Sequence, residues 1–333
     1  MTQTVSTAAL ASAGVLLAVQ QVPVLQRLHH CLAAAATMVP LGLVGWAVGA
    51  TSLASGRRGW ARDVTLAGVL LAATLHACGL SNRFGGRRTP AGADHIRVVM
   101  LNVEYGLADT ASLLARARRA DADVIVVVEH HPRTHADLAL LADEYPHRIG
   151  RATTDAEGTM VLSRTPLTLQ GYVGEVYDNY VVTTRVRGVD WAIAAVHPCP
   201  PVTSAAAWVD DARRVAALVA PFVANNLVVI GDFNATIDQL TMGEFTRLGL
   251  RNAALQTGQG WQATWPMKVS VGPFAALDHA LTSPTVVANQ LDVFTVRGTD
   301  HKGLCVTASV QPGPRALPAP AQAGTRIDIM AAV

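Results

Sequence analysis

The sequence predicts an α/β domain with a core large enough for two sheets, preceded by an α-helical membrane region of three spans. Three long apolar stretches lie in residues 1–80, at about 5–25, 31–54 and 64–80. From residue 96 onward, short β-branched runs that read as strands alternate with helical segments. Such an alternation is typical of layered α/β domains. A chain of 333 residues is long enough to build a core of this size.

The three apolar stretches predict membrane helices, because a bilayer core requires about 20 apolar residues per helix. A soluble bundle would keep a charged face, and this region has almost no charge. The first stretch is interrupted by Gln20, Gln21 and Pro23 and could be a signal peptide, but it lacks a basic start. His76 lies in the third stretch and is predicted to pack between helices. The only Arg and Asp residues of the region are Arg27, Arg57, Arg58, Arg62 and Asp63.

The distribution of charged residues does not decide in which direction these spans cross the membrane. With the N-terminus in the cytoplasm, the positive-inside rule gives nearly equal numbers of arginines on the two sides. The cytoplasmic side would hold Arg57, Arg58 and Arg62, and the outer side Arg27, Arg83, Arg87 and Arg88. Three spans with this start would place the following domain outside the cell.

Residues 81–95 are rich in Gly, Arg and Pro and predict a linker, either solvated or in contact with anionic lipid head groups. The domain itself is expected at 96–310, and the Pro- and Ala-rich tail at 311–333 is expected to be disordered. Helices are predicted at 110–120, with Asp109 as N-cap, and at 205–223. Strands are predicted at 97–102, 124–128, 158–163, 180–186, 190–196, 227–231, 276–282, 292–297 and 304–310.

Polar motifs follow or begin these strands, where a buried strand reaches the rim of its sheet. Ligands of layered α/β proteins usually collect at such rims. The motifs that carry these carboxylates contain no Lys or Arg to neutralise them, which favours the binding of a hard divalent cation. Mg²⁺ is the expected ion, with Mn²⁺ as the alternative, and Glu129 is the first candidate ligand. The motifs supply Asn102, Glu104, Glu129, His197, Asp232, Asn234, Asp278, Asp300 and His301.

These residue types suit the metal-assisted hydrolysis of a phosphate ester, which needs a base, donors to the phosphoryl oxygens and a counter-charge for the leaving group. His301 is the predicted base, oriented by the carboxylate of Asp278. His197 and Asn234 are predicted to donate to the phosphoryl oxygens, and Asp232 to align the attacking water.

The order and spacing of the motifs resemble the endonuclease/exonuclease/phosphatase family over residues 97–310. The motifs are LNVEYG (101–106), VVVE (126–129), VHP (196–198), GDFN (231–234), LDH (277–279) and TDH (299–301). The resemblance implies a two-sheet α/β sandwich, Asn102 in the site, Glu129 as chief metal ligand, and Glu104 and Asp300 at the metal. Val128 stands where the family often has Gln, and no clear counterpart exists for the Tyr that contacts phosphate in the nuclease branch.

The layout of three spans before this domain is similar to the membrane-anchored teicoplanin-resistance (VanJ-type) proteins of actinomycetes. This similarity implies a phosphoesterase at the outer face of the cytoplasmic membrane that acts on lipid-linked or cell-wall-precursor phosphates. A membrane-tethered nuclease, a phospholipid phosphodiesterase and a binding protein without turnover are the alternatives. Few basic residues besides Arg133, Arg297 and Lys302 flank the motifs, which argues against a nucleic-acid partner.

Two further features leave alternatives open. The four cysteines lack a metal-binding or redox spacing, and Cys199 and Cys305 are expected as core thiols rather than as a disulfide. Trp261 and Trp265, in the segment GWQATWP, either shape the substrate pocket or pack inside the domain.

Overall fold

The computed structural model describes residues 2–56, 59–202 and 204–311. Its helices are α1 (Thr2–Gln21), α2 (His30–Ala35), α3 (Gly42–Ser55), α4 (Trp60–Ser81), α5 (Thr110–Arg119), α6 (Pro132–Leu138), α7 (Ala205–Val219), α8 (Met242–Thr246) and α9 (Ala253–Gln256). Its strands are β1 (His95–Asn102), β2 (Val124–Val128), β3 (His147–Gly150), β4 (Thr159–Ser163), β5 (Leu167–Val173), β6 (Asn179–Val186), β7 (Val189–Val196), β8 (Leu227–Asp232), β9 (Arg251–Asn252), β10 (Asp278–Thr282), β11 (Val286–Thr295) and β12 (Lys302–Val310).

Three segments of the N-terminal region are long and apolar enough to cross a membrane: Thr4–Gln21, His30–Ser55 and Trp60–Ser81. The second comprises α2, a 3-10 segment that contains Pro40, and α3. A proline removes a backbone donor, which accounts for the break in the α-helical pattern. His76 packs between these helices as predicted: it accepts a hydrogen bond from Trp46 Nε1 (3.0 Å) and donates one to the carbonyl of Val39 (2.8 Å).

The remainder of the chain forms two six-stranded mixed sheets that pack face to face, which confirms the predicted α/β sandwich. The strand orders are β11-β12-β1-β2-β4-β3 and β5-β6-β7-β8-β10-β9. Alternate residues such as Val126, Ile193 and Ile230 fill the core between the sheets. Helices cover the outer faces: Leu113 of α5 packs on the first sheet and Trp208 of α7 on the second.

Strand direction determines where the polar motifs meet. The pairs β1–β2 and β7–β8 are parallel, so the carboxyl ends of each pair lie at one edge of its sheet. Strands β12 and β10 run antiparallel to β1 and β8 and therefore begin at those same edges. In the second sheet, Asp278 at the start of β10 is paired with Asp232 at the end of β8.

Most predicted elements are present, and Asp109 caps α5 through the backbone amides of Ala111 and Ser112. The helices α6, α8 and α9 and the strands β3, β5 and β9 were not predicted from the sequence, and β11 begins six residues before its predicted start. These helices have only four to seven residues, β3 and β9 have four and two, and β5 is largely exposed. Short or exposed elements carry little hydrophobic periodicity.

The predicted linker lies against the two-sheet domain, and the expectation of a solvated or lipid-bound segment is wrong for Arg83, whereas Arg88 is exposed at the surface. Arg83 is 5% exposed and pairs with Asp238, and Arg88 pairs with Asp292 at 3.1 Å. Cys199 and Cys305 are buried free thiols, as expected. The predicted disordered tail lies outside the described residues after Gln311.

Candidate active site

Asn102 connects the two sheets at the shared edge. Its side chain is fully buried, and Nδ2 donates to Glu129 Oε1 of the first sheet (2.9 Å) and to Asp232 Oδ2 of the second (3.0 Å). Its Oδ1 accepts the backbone amide of Glu104 at 2.9 Å. One side chain therefore contacts the carboxylates of Glu129 and Asp232 and the backbone of Glu104, and its role in the site stays a prediction.

His301 forms a buried pair with Asp278, as predicted. Nδ1 donates to Asp278 Oδ2 at 2.9 Å, and Nε2 lies 3.6 Å from Asp232 Oδ2. Burial would lower the pKa of His301, but the charges of Asp278 and Asp232 outweigh it and raise this pKa to about 10. With this pKa the imidazole is protonated near neutral pH and suited to donate a proton. Its role as a base stays a prediction.

Asp232 is 1% exposed and lies at the centre of the site. Its Oδ1 accepts the backbone amide of Asn234 at 2.8 Å. Burial would raise the pKa of Asp232, but His301 and His197 outweigh it and keep this pKa below its usual value. A buried anion beside two imidazoles is suited to align a water molecule, and because its pKa is low it can accept a proton only from a water that is already bonding to phosphorus and has become acidic. Asn234 has a φ of 47° and donates from Nδ2 to the carbonyl of Pro198 (3.0 Å), which leaves one amide hydrogen for a substrate oxygen.

His197 lies on the other side of Asp232, with Nε2 3.9 Å from Asp232 Oδ2. Its ring stacks on Tyr177, with centroids 4.5 Å apart, and its backbone amide donates to Asn179 Oδ1 at 2.7 Å. Burial lowers the pKa of His197 to about 4. The ring is therefore neutral near pH 7 and offers one N–H group, as its predicted donor role requires.

Glu129 has the features of a cation ligand. Oε1 is held by Asn102, whereas Oε2 is buried and has no hydrogen-bond partner among the residues that the structure describes. Burial raises the pKa of Glu129 to about 7. A buried carboxylate oxygen without a partner is costly unless a cation or a proton compensates it. The donor set therefore fits a hard divalent cation.

Asp300 and Glu104, the other predicted metal residues, have partners of their own. Asp300 Oδ2 accepts Trp265 Nε1 at 2.9 Å, and Glu104 pairs with Lys268 at 2.6 Å. Ligand atoms of Asp232, Asp278 and His301 also lie within 4.8 Å of one another. Glu129, Asp300 and Glu104 would hold a cation, which when bound would polarise a phosphoryl oxygen and offset charge on the leaving group.

Several residues of the site were not predicted from the sequence. Thr264 Oγ1 accepts the amide of Asp278, and Thr299 Oγ1 donates to the carbonyl of Asn102 and accepts the amide of His301. Thr299 belongs to the TDH motif and was open to prediction. Tyr177 and Lys268 come from segments without a motif, although Lys268 is one of only two lysines in the chain.

This fold and this site define a metal-dependent phosphoester hydrolase, with acidic, amide and imidazole groups converging on one edge of a two-sheet sandwich. A sequence model of the Endonuclease/Exonuclease/phosphatase family matches residues 101–301, more than half of the chain. The chain belongs to that family. No curated protein matches the sequence.

Solved structures show the same fold. An endonuclease/exonuclease/phosphatase from Beutenbergia cavernae aligns with a TM-score of 0.50 and 19% identity, over 67% of this chain and 73% of that chain. TDP2 of D. rerio, complexed with a single-strand DNA product, aligns with a TM-score of 0.51 and 14% identity, over 65% and 99%. The mannosyl-6-phosphatase Bt3783 of Bacteroides thetaiotaomicron aligns with a TM-score of 0.50 and 14% identity, over 63% and 98%. At these identities the likeness concerns the fold alone.

Proposed function

We propose that the protein is a membrane-anchored, Mg²⁺-dependent phosphoesterase that acts at the outer face of the cytoplasmic membrane on lipid-linked or cell-wall-precursor phosphates. One observation carries the proposal. The third candidate span ends at Ser81, and Arg83 forms a buried ion pair with Asp238, six residues after Asp232. The domain that contains the active site is therefore joined at close range to three apolar helices. An enzyme that acts on a substrate held in a bilayer needs such a position.

The charge around the site favours a lipid phosphate over a nucleic acid. A nuclease needs several free cations along its groove to bind the phosphate backbone. Lys268 at the rim of this site is engaged by Glu104, and the neighbouring motifs contribute few other basic residues. Mg²⁺ is the proposed cation because the open donor set consists of carboxylate oxygens.

The residues of the chain support a direct hydrolysis. Asp232 orients a water molecule and accepts its proton as the water oxygen bonds to phosphorus and the bond to the leaving oxygen breaks. His301 donates from Nε2 to a phosphoryl oxygen, with Asp278 holding its ring. His197 and Asn234 supply further N–H donors. Buried and pre-oriented donors of this kind stabilise the charge that develops in the transition state.

The substrate class is tested with the solubilised full-length protein, with and without Mg²⁺, against polyprenyl pyrophosphates, phospholipids, and single-stranded and duplex DNA. We expect Mg²⁺-dependent hydrolysis of a lipid phosphate and no cleavage of DNA. DNA cleavage that weakens with salt would instead identify a membrane-tethered nuclease, and release of a phospholipid head group a phosphodiesterase.

The proposed biological role is resistance to teicoplanin-type antibiotics. Cells that express the protein should tolerate more teicoplanin, and Asp232→Ala or His301→Ala should abolish this gain at equal protein levels. If both variants still protect the cells, the role does not depend on turnover, and a binding protein that sequesters the antibiotic or a lipid becomes the better explanation.

A further inference from the structure

We infer that the N-terminal region is a positioning part of the active site: Gln26, which follows the first span, and Arg83, which follows the third, hold the loop that follows the GDFN motif. We call residues 235–241 the site loop; it connects Asn234 to α8. The inference rests on the assignment of Asp232 and Asn234 to the active site under the proposed function, and it is independent of the substrate.

Gln26 ties the end of α1 to the backbone of the site loop. Its side chain is fully buried. Oε1 accepts the amide of Leu240 at 2.8 Å, and Nε2 donates to the carbonyls of Asp238 (3.0 Å) and Val19 (3.1 Å). The side-chain amide of Gln26 therefore uses both of its hydrogens and its oxygen in hydrogen bonds. These bonds require the loop and the end of α1 to keep their relative positions.

Two further buried contacts bind the same loop to other parts of the N-terminal region. Arg83 Nη2 lies 2.6 Å and 2.5 Å from the two carboxylate oxygens of Asp238, and the two side chains are 6% and 8% exposed. Gln239 Nε2 donates to the carbonyl of Ala33 in α2 at 2.8 Å. A flexible tether needs no such contacts, and burying these polar groups is costly unless all of them stay paired.

The site loop leads directly to the catalytic carboxylates. It begins beside Asn234, whose backbone amide holds Asp232 Oδ1 at 2.8 Å. The carbonyl of Ala235 accepts His279 Nε2 at 2.8 Å, and His279 is the neighbour of Asp278. The two carboxylates nearest His301, those of Asp278 and Asp232, are therefore attached to the loop that Gln26 and Arg83 hold. A misplacement of about 1 Å in such groups costs on the order of 100-fold in rate.

The test uses the full-length protein in phosphatidylglycerol nanodiscs, with bis(p-nitrophenyl) phosphate and Mg²⁺ as a soluble probe. Gln26→Leu keeps the side-chain size and removes three hydrogen bonds. We expect kcat to fall about tenfold or more, KM to change less than about twofold, and hydrogen exchange of the site-loop amides to accelerate. Gln21→Leu is the matched control, because Gln21 is an exposed glutamine of the same region, and it should match the wild type in all three.

A second variant separates positioning from folding. Arg83→Gln combined with Asp238→Asn leaves no unpaired buried charge, so we expect a Tm near that of the wild type together with a lowered kcat and faster exchange of the site loop. The inference is wrong if the site-loop amides of both variants exchange hydrogen at the wild-type rate. It is also wrong if kcat falls only in proportion to the fraction of protein that is unfolded. A wild type inactive on every phosphate ester would contradict the proposed function, and the exchange measurement would still decide the inference.

Discussion

At the scale of single residues, Glu129 should make Mg²⁺ binding depend on pH. Its Oε2 is buried, and burial raises the pKa of Glu129 to about 7. A protonated carboxyl cannot bind a cation, and the protonated fraction of Glu129 grows as the pH falls through this pKa. We therefore expect Mg²⁺ affinity to fall about tenfold per pH unit below about pH 7 and to level off above it. Isothermal titration calorimetry between about pH 6 and about pH 8 measures this.

Glu129→Gln is the control for that experiment. The variant has the same shape but no titrating carboxyl, so its Mg²⁺ affinity should be weak and flat over the same range. An affinity of the wild type that does not change with pH would contradict the place of Glu129 as the chief ligand.

Asp278→Asn tests how His301 works. The carboxylates of Asp278 and Asp232 hold the pKa of His301 at about 10 against the effect of burial, so removing one charge lowers this pKa. If the protonated ring donates to the substrate, activity is lost as the pH rises through the lowered pKa, and the alkaline limb of the pH–kcat profile moves to lower pH. Movement of the acidic limb alone would instead support the base role predicted from the sequence.

The sequence predicted the site residues that end or begin buried strands, because strand direction brings such ends to one edge. It could not predict contacts between distant segments that lack a motif. Tyr177 stacks on His197, and Lys268 pairs with Glu104 across 164 positions of the chain. Neither residue is distinguished by periodicity or by a motif, and only the tertiary fold brings each to the site.

At the scale of elements, the buried ion pair between Arg83 and Asp238 joins the segment after α4 to the catalytic domain. Arg83→Gln leaves Asp238 buried without a counter-charge, and breaking such a pair typically costs about 3–5 kcal/mol. Thermal unfolding should therefore show a clear fall in Tm. The control is Arg88→Gln, because the Arg88–Asp292 pair is largely exposed and worth about 0–1 kcal/mol. Equal Tm values for the two variants would contradict the importance of the junction.

The elements that the sequence predicted are those with a strong apolar pattern. Each residue of β2, β4 and β8 is buried, and these strands were predicted within one residue. The segment after α4 was predicted as a free linker because it has no such pattern. Its contacts depend on single polar side chains, and the sequence does not show whether an arginine such as Arg83 meets a distant carboxylate or water.

At the scale of the whole molecule, we expect the catalytic domain outside the cell and the turn between α3 and α4 in the cytoplasm. A membrane-impermeant maleimide should label Ser270→Cys in intact cells, because residue 270 is exposed in the catalytic domain. Ser55→Cys, at the end of α3, should react only after permeabilisation. Both variants are made with Cys31 and Cys78 replaced by Ser, since these two thiols are exposed in the protein without a bilayer. The reverse labelling pattern would contradict the proposed side.

The three spans followed from hydrophobic pattern and the two-sheet fold from the resemblance of the motifs to a known family, whereas the substrate depends on how the domain meets the bilayer. The central claim is that Asp232 and its neighbours hydrolyse a phosphate ester that the membrane presents. The most direct measurement is phosphate release from a polyprenyl pyrophosphate by the full-length protein in nanodiscs. We predict release that requires Mg²⁺, stops with EDTA and is lost in Asp232→Asn. Release by Asp232→Asn at the wild-type rate, or no release by the wild type under conditions in which it cuts DNA, would contradict the account.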